Sequence, residues 1–146
     1  MIPMHNYYEC RVKFDKLLEN GTEKKVTEAY LVEATSFTEA ENRIIAEMTP
    51  FISGVFEVSA VKKERISELF PDTSGDKWYR AKVMFVSLDE KTGLEKKAAS
   101  IMLVQAKDFD TAFKNLKEGM KGTMSDWEIN TIQETPILGL YSINNG

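Results

Sequence analysis

The chain repeats itself, and that repetition limits its fold more than any other feature. Tyr7-Tyr8-Glu9-Cys10-Arg11-Val12-Lys13-Phe14 lies over Trp78-Tyr79-Arg80-Ala81-Lys82-Val83-Met84-Phe85 at an offset of 71 residues. Gly21-Thr22-Glu23-Lys24-Lys25 matches Gly93-Leu94-Glu95-Lys96-Lys97, and Leu31-Val32-Glu33-Ala34 matches Leu103-Val104-Gln105-Ala106, at an offset of 72. Phe37, Ala40, Ile44 and Met48 fall on Phe109, Ala112, Leu116 and Met120. Phe56-Glu57-Val58 then falls on Trp127-Glu128-Ile129, and Ile66, Leu69 and Phe70 fall on Ile137, Leu140 and Tyr141. Matches sustained along the chain at an offset of 71 to 72 residues mark a tandem duplication.

Each copy reads strand, hairpin, strand, helix, strand. Alternation puts Tyr8, Cys10, Val12 and Phe14 on one face of the first strand, and Tyr79, Ala81, Val83 and Phe85 on one face of its counterpart. Glu19-Asn20-Gly21 and Glu90-Lys91-Thr92-Gly93 supply turn residues that tolerate positive φ. Ser36-Phe37-Thr38-Glu39 has capping-box form, and Asp108 takes the cap position in the second copy. Phe37, Ala40, Ile44, Ile45 and Met48 form one helical apolar stripe; Phe109, Ala112, Phe113, Leu116 and Met120 form the other.

The expected fold class is therefore α+β: a tandem duplication of a ββαβ unit, mainly antiparallel sheet, with two helices each covering a sheet face, pseudo-two-fold symmetric. Repeats 7–70 and 78–141, joined by the turn-rich linker 71–77, are read as one domain spanning 1–146, because a single three-stranded unit buries little apolar surface alone. Two small domains are the alternative.

Several passages resemble a family of uncharacterised short proteins, a domain of unknown function found in Bacteroidetes chromosomes, phages and mobile elements. They are Tyr7-Tyr8-Glu9-Cys10, Lys24-Lys25-Val26-Thr27-Glu28-Ala29-Tyr30-Leu31-Val32, Ser36-Phe37-Thr38-Glu39-Ala40-Glu41, Leu88-Asp89-Glu90-Lys91-Thr92-Gly93 and Glu118-Gly119-Met120-Lys121-Gly122-Thr123-Met124. The resemblance implies bacterial or phage cytoplasm, and it brings no catalytic or binding residues with it.

The residues favour the same location, since no run approaches the roughly 20 apolar residues of a membrane span and the start lacks the pattern of a secretory signal. Chemistry is sparse. His5 stands in the terminus, and Cys10, on the apolar face of its strand, reads as a small buried hydrophobe. Glu39, Glu41 and Glu47 lie on or beside the exposed helix side, with Asp89 and Glu90 in a hairpin. Gly119-Met120-Lys121-Gly122-Thr123 lacks the strand and the GK[ST] ending of a phosphate loop. No catalytic, cofactor or metal residues are assigned.

Three surfaces remain as candidates. Tyr7, Arg11 and Lys13, with Trp78, Arg80 and Lys82, share the outward face of the first strands, the aromatic and cationic character of surfaces that bind single-stranded nucleic acid. The net charge of −4 and Glu9 in the same row weigh against that use. Lys107, Lys114, Lys117 and Lys121 occupy the side of the second helix opposite its apolar stripe, a partner-docking candidate. Tyr30, Val32, Met102 and Val104 make the second strands apolar on a second face, which calls for cover from the other repeat or from the partner in a homodimer. The expected function is a non-enzymatic binding or adaptor protein acting through protein–protein contacts. Single-stranded nucleic acid binding is the alternative and an enzyme is third.

Overall fold

The computed structural model describes residues 6–143. The elements in chain order are β1 (Asn6–Leu17), β2 (Glu23–Glu33), α1 (Phe37–Met48), β3 (Phe56–Arg65), β4 (Glu68–Phe70), β5 (Lys77–Leu88), β6 (Glu95–Ala106), α2 (Phe109–Gly119), β7 (Asp126–Glu134) and β8 (Ile137–Tyr141). The fold is α+β, with two helices and two mixed, mostly antiparallel, four-stranded sheets of order β3-β1-β2-β8 and β4-β6-β5-β7.

The two copies build the same local structure from equivalent residues. Both helices begin at the matching phenylalanines, with Ser36 Oγ accepting from Glu39 N (3.1 Å) and Asp108 accepting from Thr111 N (2.8 Å). Glu39 returns one residue short of the cap, its carboxylate accepting from Thr35 N and Thr35 Oγ1. Each helix-initial ring meets the second aromatic of the first strand edge-on, Tyr8 with Phe37 at 5.0 Å and Tyr79 with Phe109 at 6.3 Å. The first strand slips register against the third between Arg11 and Val12, and again between Lys82 and Val83. The β5–β6 loop is one residue longer than the β1–β2 loop, which moves the offset of the copies from 71 to 72. Gly21 (φ 83°) and Gly93 (φ 71°) close these hairpins in the left-handed region, which the missing Cβ makes accessible.

The compact units are not the repeats. The first contains the chain up to Arg65 together with the segment from Pro136 onward; the second is Ile66–Thr135. Equivalent terminal strands have been exchanged: β4, from the first repeat, runs parallel to β6, and β8, from the second, runs parallel to β2. The segment 71–77, read from sequence as a linker between repeats, instead connects β4 to β5 within the second unit, and Lys77 already belongs to β5.

Connection length accounts for the exchange. β3 lies on the outer edge of its sheet, so a strand beside β2 would stand three places away, about 14 Å at the usual strand spacing. Arg65 and Glu68 are separated by only Ile66 and Ser67, a reach of about 11 Å fully extended. The strand following β3 therefore cannot pair with β2. Thr135 and Pro136 impose the same limit between β7 and β8.

Each unit has its own core. Tyr8, Cys10, Val12, Val32 and Ala34 pack against Ala40, Ile44 and Met48 of α1; Tyr79, Ala81, Val83, Met102, Val104 and Ala106 pack against Ala112, Leu116 and Met120 around α2. No helix among the described residues is long and apolar enough to cross a membrane.

Candidate functional site

The aromatic rings of the strand face are enclosed. Alternation places Tyr7, Arg11 and Lys13, and Trp78, Arg80 and Lys82, as expected, but Tyr7 and Trp78 are only 4% and 5% exposed. No ring face is left for a base to stack on. Arg11 is held by a carboxylate of its own row, its Nε 3.0 Å from Oε2 of the nearly buried Glu9. Lys82 is exposed, while Lys13 and Arg80 are half-buried.

The apolar pairs expected to meet the other repeat or a second subunit also need correction. Val32, Met102 and Val104 are buried beneath the helix of their own unit, and Tyr30 packs at the edge of the same core. The opposite face of the second strands carries Ala29, Leu31 and Leu103, at 4% exposure or less. The hairpin held the signal: a turn centred on Asn20 pairs Tyr8 with Val32 and Cys10 with Tyr30, bringing both sets to the helix side.

Lys107, Lys114, Lys117 and Lys121 are all exposed, but Lys107 precedes the cap of α2 and Lys121 follows its end. Lys117 lies 5.1 Å from the centre of the Phe113 ring, and Lys121 pairs with Glu118 at 3.1 Å. None of the four lines the cleft described below. His5 lies outside the described residues.

Cys10 is fully buried, and burial, followed by the carboxylates of Glu41 and Glu9, pushes its thiol up to about 11. Burial and Glu33 push the Tyr7 phenol up to about 12. Both groups ionise more readily in the unfolded chain, so their contribution to stability is intact below about pH 9 and is lost as pH rises toward 11–12. We expect native protein to resist iodoacetamide at pH 8 and to react once denatured. Melting temperature should fall above pH 9, less steeply in Cys10→Ala. Rapid alkylation of the native protein would show that the thiol is not enclosed.

What gathers functional-looking side chains is a cleft of about 600 Å³ in the first unit. One wall is the hairpin end of β1 and β2, including Phe14, Lys16, Glu23, Glu28 and Tyr30; Met48, Phe51, Ile52 and Ser53 form the second, and Tyr141 of the exchanged strand the third. Tyr30 donates its hydroxyl hydrogen to Glu28 Oε1 at 2.8 Å, and Lys16 Nζ stands 3.8 Å from Glu28 Oε2. Burial and that hydrogen bond raise the Tyr30 phenol well above its ordinary value, so it remains a neutral donor. The Tyr30 and Tyr141 rings lie 5.9 Å apart. Burial and the nearby Glu47 raise the Tyr141 phenol as well. Phe51 and Leu17 at the rim are 78% and 69% exposed.

The second unit treats the equivalent positions differently. Asp15, Lys16, Glu28 and Tyr30 correspond to Val86, Ser87, Ser100 and Met102, and Tyr141 corresponds to Phe70. Glu47 corresponds to Gly119, where the Phe70 ring lies so close that a Cβ would come within 2.5 Å of it. The second unit seats its aromatic ring against a bare helix backbone, while the first has a carboxylate there and a cleft beside its ring. Both copies fold alike, so the fold does not require this polar set.

No curated protein and no solved structure matches the chain. A family model does so over residues 6–143, nearly the whole length, and the chain belongs to that family, the Domain of unknown function (DUF4494).

Proposed function

We propose that the protein is a non-enzymatic binding module acting through protein–protein contacts, and that the cleft of the first unit receives its partner. The observation that carries this reading is the divergence of the copies at the cleft: Lys16, Glu28, Tyr30 and Tyr141 replace residues with which the other copy folds equally well. Side chains not needed for folding, gathered around a concavity with exposed apolar residues at its rim, have the character of a recognition site. A volume of about 600 Å³ suits a few side chains, so the partner enters as a short segment rather than a folded surface. The same reading places the protein in the cytoplasm of a bacterium or of a phage-infected host, where a lone buried thiol such as Cys10 needs no partner.

A displayed peptide library selected on the full-length protein tests the assignment. Enriched sequences should lose at least about tenfold in affinity for Ser53→Trp, which fills the cleft from an exposed position, while circular dichroism stays unchanged. Peptides that bind wild type and variant equally, or a selection that enriches none, would remove the cleft from consideration.

A further inference from the structure

The outer edge of β2 is only partly used. β8 pairs with it from Ala29 to Val32, and no strand among the described residues pairs with that edge from Glu23 to Glu28. A strand edge presents alternate N–H and C=O groups in the plane of the sheet, ready to pair with another chain. Two further observations single out this stretch. It already accepts, end to end with the open part, a strand from a distant point in the sequence, so the edge is shaped to receive one. It also borders the cleft, since Glu23 and Glu28 line both.

Resting on the reading of the cleft as a partner site, we propose that the partner binds by strand addition. An extended segment pairs its backbone with Glu23–Glu28 in line with β8 and points alternate side chains into the cleft beside Tyr30 and Tyr141. Backbone pairing supplies affinity in this mode, and the pockets for alternate side chains supply specificity. The open stretch carries Lys24 and Lys25, both exposed, and Glu23 and Glu28, both at the cleft. Its charges balance, so it favours an extended segment of uncharged side chains with an acidic residue only where one faces Lys24 or Lys25.

The test uses isotopically labelled full-length protein and a capped heptapeptide alternating valine and threonine, with glutamate at one end. Strand addition slows amide exchange within Glu23–Glu28 and shifts the resonances of Tyr30 and Tyr141. N-methylating alternate peptide amides in one phase, so that the donors facing β2 are lost, should weaken binding at least about tenfold, whereas methylation in the other phase should change it by no more than about twofold. Equal tolerance of both phases, or shifts at Tyr30 and Tyr141 without slowed exchange on β2, overturns strand addition and leaves the cleft as the partner site. A peptide that affects neither overturns strand addition too, and the library selection on Ser53→Trp then decides the cleft separately.

Discussion

Excised from the chain, residues 66–135 are expected to fold as a cooperative unit, whereas residues 78–141, the second repeat as the sequence presents it, are not. The fragment 66–135 contains every strand of the β4-β6-β5-β7 sheet, α2 and the whole core around it, with Phe70 packed against that core. The repeat-based fragment lacks β4, which uncovers the edge of β6 from Met102 to Val104 and removes the Phe70 ring from Gly119. It also carries Ile137–Tyr141 as an apolar strand whose partner, β2, is missing.

The magnitudes favour a large difference. A domain of this size is stable by about 4–10 kcal/mol, and withdrawing one large side chain from its core costs roughly 1.5–3 kcal/mol before the lost strand pairing is counted. Thermal unfolding followed by far-ultraviolet circular dichroism should be sigmoidal for 66–135 and featureless for 78–141, with the latter prone to aggregate through its unpaired strand. Two fragments of equal cooperativity would show that β4 and β8 do not contribute to the units as placed here.

The same comparison shows what the sequence disclosed and why. Local chemistry was legible: Ser36 and Asp108 cap the helices, Gly21 and Gly93 close the hairpins, and both helices begin at the matching phenylalanines. Each of these depends on residues within a few positions of one another. The exchange of β4 and β8 depends on strand order, because the two-residue connection after β3 forbids local pairing only once β3 is known to occupy the outer edge. No periodicity encodes that edge.

The candidate surfaces were less legible for a related reason. Alternation assigns the faces of β1 and β5, but it says nothing about cover, and Tyr7 and Trp78 are enclosed. The sequence shows Tyr30 as an apolar strand residue, but its place in the cleft depends on Phe51–Ser53 and Tyr141, which the sequence places far away. The divergence of Lys16, Glu28 and Tyr30 from Ser87, Ser100 and Met102 was visible in the aligned copies. Its meaning required knowing that these positions share a wall.

Gly75→Ala is expected to be the most damaging single-methyl change in the second unit. Gly75 is buried in the loop between β4 and β5, and an added Cβ would fall within 2.6 Å of three backbone atoms of Ala106 and Lys107. Backbone cannot swing aside as a side chain can, so either the loop lifts or the end of β6 moves. The loop is fastened there: Gln105 Nε2 donates to Gly75 O (3.0 Å), Asp72 N donates to Gln105 Oε1 (3.0 Å), and Asn115 Nδ2 donates to Asp72 Oδ2 (2.9 Å) and to Gln105 O (3.1 Å). Lifting the loop breaks these together and disturbs the approach to β5. The cost should reach about 3 kcal/mol, the upper end of overpacking penalties, lowering the melting temperature of 66–135 by more than about 10 °C. Gly21→Ala is the control, for its Cβ would meet nothing within 4 Å and only the left-handed backbone would be strained, at about 1–2 kcal/mol in the first unit. Hydrogen bonds from Ser74 and Asn115, with Lys107 nearby, hold the Asp72 carboxyl below its ordinary value, so the clasp is intact above pH 4 and weakens as pH falls below it. A Gly75→Ala protein that melts with wild type would mean that the loop does not rest on Ala106 and Lys107, and the clasp built on Asp72, Gln105 and Asn115 would fall with that contact.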